Sequence, residues 1–196
     1  MKKIVLTVAL IAVFCGAANA VIFGIRYSNV TRPVVAPFET DEGRGRFGIY
    51  FGEREKSSDF LLGIDYDSYK REGGDTLSYS RRVVVDFGYR YRVFSGDRSA
   101  AMKILPFAAI HYYKGFGKVE ADTSVLSNSD RKYYKDLMSD HGGWISVGAE
   151  YAFAPAFSMG CEAGLLYTNA KSKAYGYTIK ISDYRTFVAI LMSFRF

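Results

Sequence analysis

Two histidines, His111 and His141, are the residues of this chain best suited to acid–base or nucleophilic chemistry. A hydrolytic site needs a histidine within reach of a hydroxyl and a carboxylate. His111 is followed by Tyr112 and Tyr113, so no serine stands two residues on, and no carboxylate occupies a strand position that pairs with it convincingly. A histidine in a barrel wall or loop is more often a packed polar residue. The sequence therefore predicts no catalytic residue, and a protein that is not an enzyme.

Metal and cofactor chemistry has equally little support. The chain has two cysteines, Cys15 and Cys161, and its two histidines lie in separate segments, which is not the spacing of a zinc site. The glycines are spread through strand-like segments and form no phosphate-binding loop. Neither a cofactor nor a metal ion is predicted.

The net charge excludes another class of partner. The whole chain has 26 basic and 20 acidic residues, and removing Lys2 and Lys3 with a leader leaves a formal charge of +4. A surplus this small is not typical of proteins that bind nucleic acid. No nucleic-acid partner is expected.

Residues 1–20 have the three parts of a secretory signal peptide. They are a basic start, the apolar run 4–14, and the small-residue motif Ala18-Asn19-Ala20. Cleavage is expected between Ala20 and Val21. A lipoprotein signal at Cys15 is the alternative, but Phe14 stands where that signal needs a small residue. The predicted organisation is a signal peptide, 1–20, followed by one exported domain, 21–196, with no later apolar run long enough for a helical span.

The segment 184–196 shows how that domain is organised. Phe196, Phe194, Met192, Ile190 and Val188 alternate with a mixed face that carries Arg195 and Arg185. A period of two predicts a strand with different surroundings on its two faces. An ordinary half-buried strand of a soluble sheet is the alternative.

Seven further segments alternate in the same way. The predicted strands are 21–27, 47–52, 60–67, 82–93, 102–117, 144–153, 157–167 and 184–196. Short connections near residues 55, 97 and 155 are predicted to alternate strictly with connections near 37, 73, 131 and 176 that are longer on average. Short turns at one end and long loops at the other are typical of transmembrane barrels. A soluble β-sandwich has no such requirement.

Taken together, these features resemble the small OmpA/OmpX-type barrels of the bacterial outer membrane. The terminal Phe196, with Phe194 and Met192, resembles the signal that the barrel-assembly machinery reads in that family. The segment 105–112 resembles the family's proline-aromatic strand opening, although no Gly-x-Gly repeat follows it. The resemblance implies an all-β fold: an eight-stranded antiparallel up-and-down transmembrane β-barrel, monomeric and located in the outer membrane.

Charged side chains on the mixed faces are predicted to fill the barrel interior. An eight-stranded barrel is just wide enough to be packed with side chains, and buried charges must be paired. The predicted network consists of Arg26, Asp65, Asp86, Arg90, Glu150, Glu162 and Arg185, and the inward faces also collect Asp67, Lys103 and Arg195. A narrow or gated ion path through the same residues is the alternative.

The longest predicted loop, 121–142, holds a basic and aromatic segment. Its residues are Arg131, Lys132, Tyr133, Tyr134 and Lys135. They could bind an anionic partner such as lipopolysaccharide phosphate or a host surface, whereas the simpler interpretation is a solvated loop. Some tyrosines near strand ends fit interfacial girdles, namely Tyr89, Tyr91, Tyr151, Tyr167 and Tyr184.

The sequence therefore predicts a non-enzymatic barrel with a structural or surface-interaction role in adhesion or envelope integrity. Its expected partners are outer-membrane lipid, lipopolysaccharide, the assembly machinery and an extracellular ligand. Three alternatives stay open: a narrow channel for small or hydrophobic solutes, a lipid A-modifying enzyme, and a soluble periplasmic β-protein.

Overall fold

The computed structural model describes residues 21–30, 44–55, 57–73, 76–93, 103–121, 127–173 and 176–196. Eight strands and one helix lie in these ranges. They are β1 (Val21–Val30), β2 (Arg44–Glu55), β3 (Ser58–Gly73), β4 (Thr76–Arg92), β5 (Ile104–Ala121), α1 (Asn128–Met138), β6 (His141–Ala154), β7 (Phe157–Ser172) and β8 (Ile179–Arg195). The predicted signal peptide, with Ala20, lies outside the described residues, and Val21 begins β1.

The strands form one closed antiparallel barrel in sequence order. Its seam joins β1 to β8, with Phe23 opposite Phe194. The Val21 N–H donates to the Phe196 carbonyl at 3.2 Å, and the Phe196 N–H donates to the Val21 carbonyl at 3.0 Å. Because the first and last strands pair, the wall closes on itself. The predicted eight-stranded up-and-down barrel is confirmed.

Period-two alternation sets the two faces of the wall. On β4, Val84, Asp86 and Arg90 are buried inside, whereas Phe87 and Tyr91 are exposed outside. The same division holds for the inward and outward faces predicted on β6 and β7. The outer surface is therefore apolar and the interior is mixed, which is the reverse of a soluble protein.

Two expectations about strand ends are wrong. Lys103, predicted to point inward, is exposed and precedes β5, which starts at Ile104. The strict alternation of short and long connections also fails. Only two residues separate β3 from β4, and eleven separate β4 from β5. The β3–β4 hairpin continues to the pair Gly73–Thr76, because backbone pairing extends an antiparallel hairpin without needing an apolar face.

Helix α1 occupies part of the segment that was predicted to be a loop. Ser127 is its N-cap: the Ser127 hydroxyl accepts from the Asp130 N–H at 3.1 Å. Asp130 Oδ2 in turn accepts from the Ser127 N–H at 3.2 Å. This is a capping box, in which two N–H groups that a helix start would leave unbonded are satisfied. The polar composition that suggested turns is that of an exposed helix with its own start signal.

No helix in the described ranges is long and apolar enough to span a membrane. We call the barrel end that holds Val21 and Phe196 the termini end, and the opposite end, where α1 lies, the helix end.

Candidate functional site: the barrel interior and its helix-capped mouth

Side chains fill the barrel interior at every level that the structure describes. One apolar cluster lies toward the termini end and contains Ile22, Tyr50, Leu61, Phe107, Ala109 and Leu191. A second cluster lies toward the helix end and contains Val30, Val84, Tyr113, Trp144, Leu166, Phe187 and Ala189. Ion pairs occupy the space between and beyond these clusters.

Arg26 is the centre of the middle layer. Its Nη2 lies 2.8 Å from Asp65 Oδ2 and 2.7 Å from Asp86 Oδ2, and all three residues are at most 5% exposed. Charges this deeply buried are tolerated only when they are paired and hydrogen-bonded. One guanidinium therefore ties β1 to β3 and β4 from inside the barrel.

Glycines make room for this layer. Gly48 on β2 stands directly opposite both Arg26 and Asp65, and Gly63 on β3 stands opposite Asp86. A Cβ atom at either glycine would collide with the facing aspartate side chain. These two positions require glycine because the charged side chains pass directly over them.

His111 belongs to the same layer. Its Nδ1 lies 2.8 Å from Asp86 Oδ1, and its ring stacks on Trp144 with 4.3 Å between centroids and 10° between planes. The Arg26 guanidinium lies 5.0 Å from the centroid of the Trp144 ring, within cation–π range. Arg26, Asp86, His111 and Trp144 thus form a closed ring of contacts.

A second layer of ion pairs lies toward the termini end. Arg90 Nη1 donates to Glu150 Oε1 at 2.6 Å, and Arg92 lies 2.6 Å from the fully buried Asp59. Glu150 also accepts from Ser193 Oγ at 3.1 Å and from Arg195 at 3.3 Å. The carboxylates of Asp59 and Glu150 bring arginines of β4 and β8 together. This layer therefore fills the interior toward the termini end.

A third layer lies at the helix end. Asp140, two residues after the end of α1, is 3% exposed and forms an ion pair with Arg82. The Tyr113 hydroxyl lies 2.9 Å from Asp140 Oδ2 and 2.9 Å from Thr168 Oγ1. The segment that follows the helix therefore enters the barrel and is held there.

Further contacts fix α1 across the mouth. Lys114 Nζ donates to the Ser139 carbonyl at 2.9 Å, which satisfies an acceptor at the C-terminal end of the helix. Ser172 Oγ donates to Asp136 Oδ2 at 2.9 Å and so joins the helix to β7. Met138 packs over Gly117. The mouth is capped by a helix anchored to β5 and β7.

The structure places the predicted network residues in separate groups. Arg26, Asp65 and Asp86 meet in one layer, and Arg90 meets Glu150 in another. Glu162 is buried, and its Oε2 accepts from Ser146 Oγ at 3.2 Å. Arg185 is only half-buried and pairs with Asp183 at 2.7 Å, away from the other predicted members.

Sequence reasoning left Arg46, Asp59 and Asp140 out of the predicted network, although Arg46 pairs with Asp67 at 3.5 Å. It also found no carboxylate partner for His111, which pairs with Asp86. Arg46 continues the inward series of Gly48 and Tyr50 and could have been found by extending β2.

Asp59 was predicted to lie in the short polar connection near residue 55, but it belongs to β3 and continues the inward series of Leu61 and Asp65, so extending β3 could have found it. Asp140 was assigned to a loop, and a side chain that enters the barrel from a connection leaves no period-two signal.

The geometry offers little for catalysis. His111 is 3% exposed inside the barrel, so its ring does not face a lipid substrate, and its Nε2 has no hydrogen-bond partner within the described ranges. His141 is exposed at the start of β6. In the part of the chain that the structure describes, no three His, Cys, Asp or Glu residues are grouped to hold a metal ion.

The outer surface has aromatic residues at both barrel ends. Tyr27, Phe47 and Tyr66 pair across β1, β2 and β3 toward the helix end. Phe194, predicted as part of an assembly signal, packs 5.2 Å from the Phe157 ring at the termini end. Met192 shares its outward face, and Phe196 is 81% exposed. The predicted girdle residues are exposed: Tyr89, Tyr91, Tyr151, Tyr167 and Tyr184.

The basic and aromatic segment lies on α1. Lys132 and Lys135 are exposed, whereas Arg131, Tyr133 and Tyr134 are half-buried. The two tyrosine rings meet edge to face at 5.5 Å.

Solved structures with this architecture are outer-membrane barrels. Neisserial surface protein A is similar with a TM-score of 0.53 and 12% identity over 90% of this chain and 94% of that chain. The outer membrane protein OprG from Pseudomonas aeruginosa gives 0.52 and 11% identity, covering 91% and 96%. The N-terminal β-barrel domain of OprF from the same organism gives 0.50 and 8% identity, covering 91% and 98%.

No protein-family model matches the sequence, and no curated protein matches it significantly. At 8–12% identity these structures show the fold and nothing finer. The closed eight-stranded wall, the apolar outer face and the agreement over nine-tenths of the chain lead to one conclusion: this protein has the fold of the small eight-stranded β-barrels of the bacterial outer membrane.

Proposed function

We propose that the protein is a closed, non-enzymatic barrel of the outer membrane that holds α1 at the cell surface for interaction with an anionic partner. The observation that supports this most directly is the filled interior. Three layers of ion pairs and two apolar clusters occupy it, and the segment after α1 enters the mouth through Asp140. A barrel whose interior is filled in this way is suited to hold α1 in a fixed position.

The wall is suited to lipid. Its outward faces carry apolar side chains such as Phe87, Ile110 and Val147, each more than half exposed, with aromatic residues toward both ends. A closed sheet leaves no backbone group unsatisfied in hydrocarbon. This supports outer-membrane location after cleavage of residues 1–20, and Phe194, Met192 and Phe196 on one outward face are proposed as the signal for the assembly machinery. Because the wall closes between β1 and β8, we expect a monomer.

Helix α1 is the proposed interaction element. Lys132 and Lys135 are exposed on it, and Tyr133 and Tyr134 lie between them in sequence. The helix is anchored through Asp136, Ser139 and Asp140, so the basic face is presented on a fixed scaffold. A rigid basic and aromatic surface fits an anionic glycan or protein on another cell. Adhesion or envelope integrity is the role that this arrangement serves.

A narrow channel is the second candidate, because one small cavity lies among the side chains that fill the interior. Its volume is about 20 Å³, which is room for one water molecule, and its lining includes Arg26, Arg46, Asp65 and Trp144. Joining it to the termini end would require the layer of Arg90 and Glu150 to open.

Conductance separates the two candidates. Purified full-length protein in planar bilayers should give no resolved steps. Asp140→Ala removes the carboxylate that the mouth segment places inside the barrel. This variant should also show no conductance, because the layers around Arg26 and Arg90 stay intact. Frequent steps from the wild-type protein would favour the channel. Lipid A mass spectra that change when the protein is expressed would instead show the lipid-modifying enzyme.

A further inference from the structure

The outward faces of β7 and β8 form a graded column toward the helix end. Its rungs are pairs of residues that stand directly opposite each other: Leu165–Thr186, Tyr167–Tyr184, Asn169–Ser182 and Lys171–Lys180. Along the column the side chains change from apolar to aromatic, then to amide and hydroxyl, and finally to two ammonium groups. This order follows a membrane leaflet from its acyl chains to its headgroups.

The lower rungs are well defined. The Tyr167 and Tyr184 rings lie 5.0 Å apart, and Tyr184 is 75% exposed. Asn169 Nδ2 donates to Ser182 Oγ at 3.2 Å and to Tyr167 Oη at 3.3 Å. Tyrosine pairs of this kind mark the boundary between hydrocarbon and headgroups.

The top rung is the unusual one. Lys171 and Lys180 are cross-strand partners and both are exposed on the outer face. Directly opposed Cβ atoms lie about 5 Å apart, and like charges in that position destabilise a sheet. Within the described ranges the structure records no carboxylate paired with either lysine. An anion bound between them would remove the repulsion.

The level of this rung identifies the source of the anion. The lysines stand four residues beyond the tyrosines, which is roughly 13 Å along a strand and about 10 Å along the normal of a tilted barrel. Phosphates of a membrane glycolipid lie in this zone. We infer that Lys171 and Lys180, with Asn169 and Ser182 beneath them, bind a phosphate group of lipopolysaccharide in the outer leaflet.

This inference rests on the proposed location of the barrel in the outer membrane. It assigns the lipid contact to the β7–β8 wall, and so separates it from the exposed lysines of α1. The adhesive role of α1 and the closure of the interior do not depend on it. The lipid site on β7 and β8 can fail its test while the proposed role of α1 stands, and the reverse is also true.

The test uses full-length protein refolded in detergent and lipopolysaccharide carrying a fluorescent label. Wild-type protein should bind lipopolysaccharide and bind dephosphorylated lipopolysaccharide far more weakly. K171Q/K180Q should lose about 30-fold in affinity, the equivalent of about 1 kcal/mol for each lysine. K171R/K180R should keep most of the affinity. K132Q/K135Q removes the same charge from α1 and should bind as the wild-type protein does.

Four results would overturn the inference. They are equal binding of the dephosphorylated lipid, unchanged binding by K171Q/K180Q, an equal loss in K132Q/K135Q, and full competition by inorganic phosphate at matched phosphate concentration. A gel shift on boiling checks that each variant forms a barrel. Should the double variant not fold, K171Q and K180Q separately should each lose about fivefold, and unchanged binding by both would count against the site.

Discussion

Arg26 and Asp86 stand on strands that are not neighbours, yet Nη2 of the arginine donates to Oδ2 of the aspartate at 2.7 Å across the barrel interior. The same guanidinium also donates to Asp65, so a single side chain pairs with two carboxylates. This contact is a cross-brace that backbone pairing does not supply.

Arg26→Met should destabilise the barrel by about 3–5 kcal/mol, because Asp65 and Asp86 would stay buried without their cation. Denaturant unfolding in detergent measures the change. Arg185→Met is the matched control: its pair with Asp183 is half-exposed, and the expected loss is at most about 1 kcal/mol. Equal losses in the two variants would contradict the assignment of Arg26 as the brace.

Gly88 stands directly opposite His111, whose ring occupies the space that a Cβ atom at position 88 would take. Gly88→Ala should therefore cost about 1–3 kcal/mol through overpacking. The double variant Gly88→Ala/His111→Ala should lose less stability than the sum of the losses in the two single variants, because removing the ring makes room for the new methyl group. Additive losses in the double-mutant cycle would show that the ring and the glycine are not coupled.

Ser127→Ala should loosen α1 without loosening the barrel. The N-cap hydroxyl is worth about 1 kcal/mol, and the loss should appear as faster amide exchange across residues 128–138. Ser129→Ala, an exposed change in the first turn of the helix, should leave exchange there nearly unchanged. Slower or equal exchange in the Ser127 variant would mean that the capping box does not hold the helix start.

Tyr113→Phe should weaken the attachment of the mouth segment, because it removes the hydroxyl that bonds Asp140 and Thr168. The ring and its packing against Trp144 are kept, so the expected cost is about 1–3 kcal/mol from the carboxylate left with fewer donors. Proteolysis of the α1 segment on intact cells should become faster. Tyr112→Phe changes an outward tyrosine and serves as control; similar acceleration there would contradict the prediction.

Much of the fold follows from period two alone. Each face of β4 could be assigned from Val83 to Arg92, because lipid and interior select opposite side chains. The partners of a charge could not be assigned in this way. That Arg26 meets Asp86 depends on strand stagger and on the space above Gly63, and neither is visible in one strand.

Residues outside the strands were harder still. Helix α1 carries a start signal at Ser127 and Asp130, but none of its residues is buried. No apolar periodicity therefore marks the helix in the sequence. Asp140 enters the interior from a connection that looks solvated in sequence. The extended β3–β4 hairpin likewise rests on backbone pairing to Gly73 and Thr76, which composition does not reveal.

The most direct test of the central claim is cell fractionation followed by electrophoresis of boiled and unboiled membrane samples. A closed, detergent-resistant barrel predicts a band in the outer-membrane fraction whose mobility changes on boiling. A protein recovered from the periplasm without detergent, with one mobility in both samples, would contradict the barrel and would reassign its apolar faces to the core of a soluble sheet.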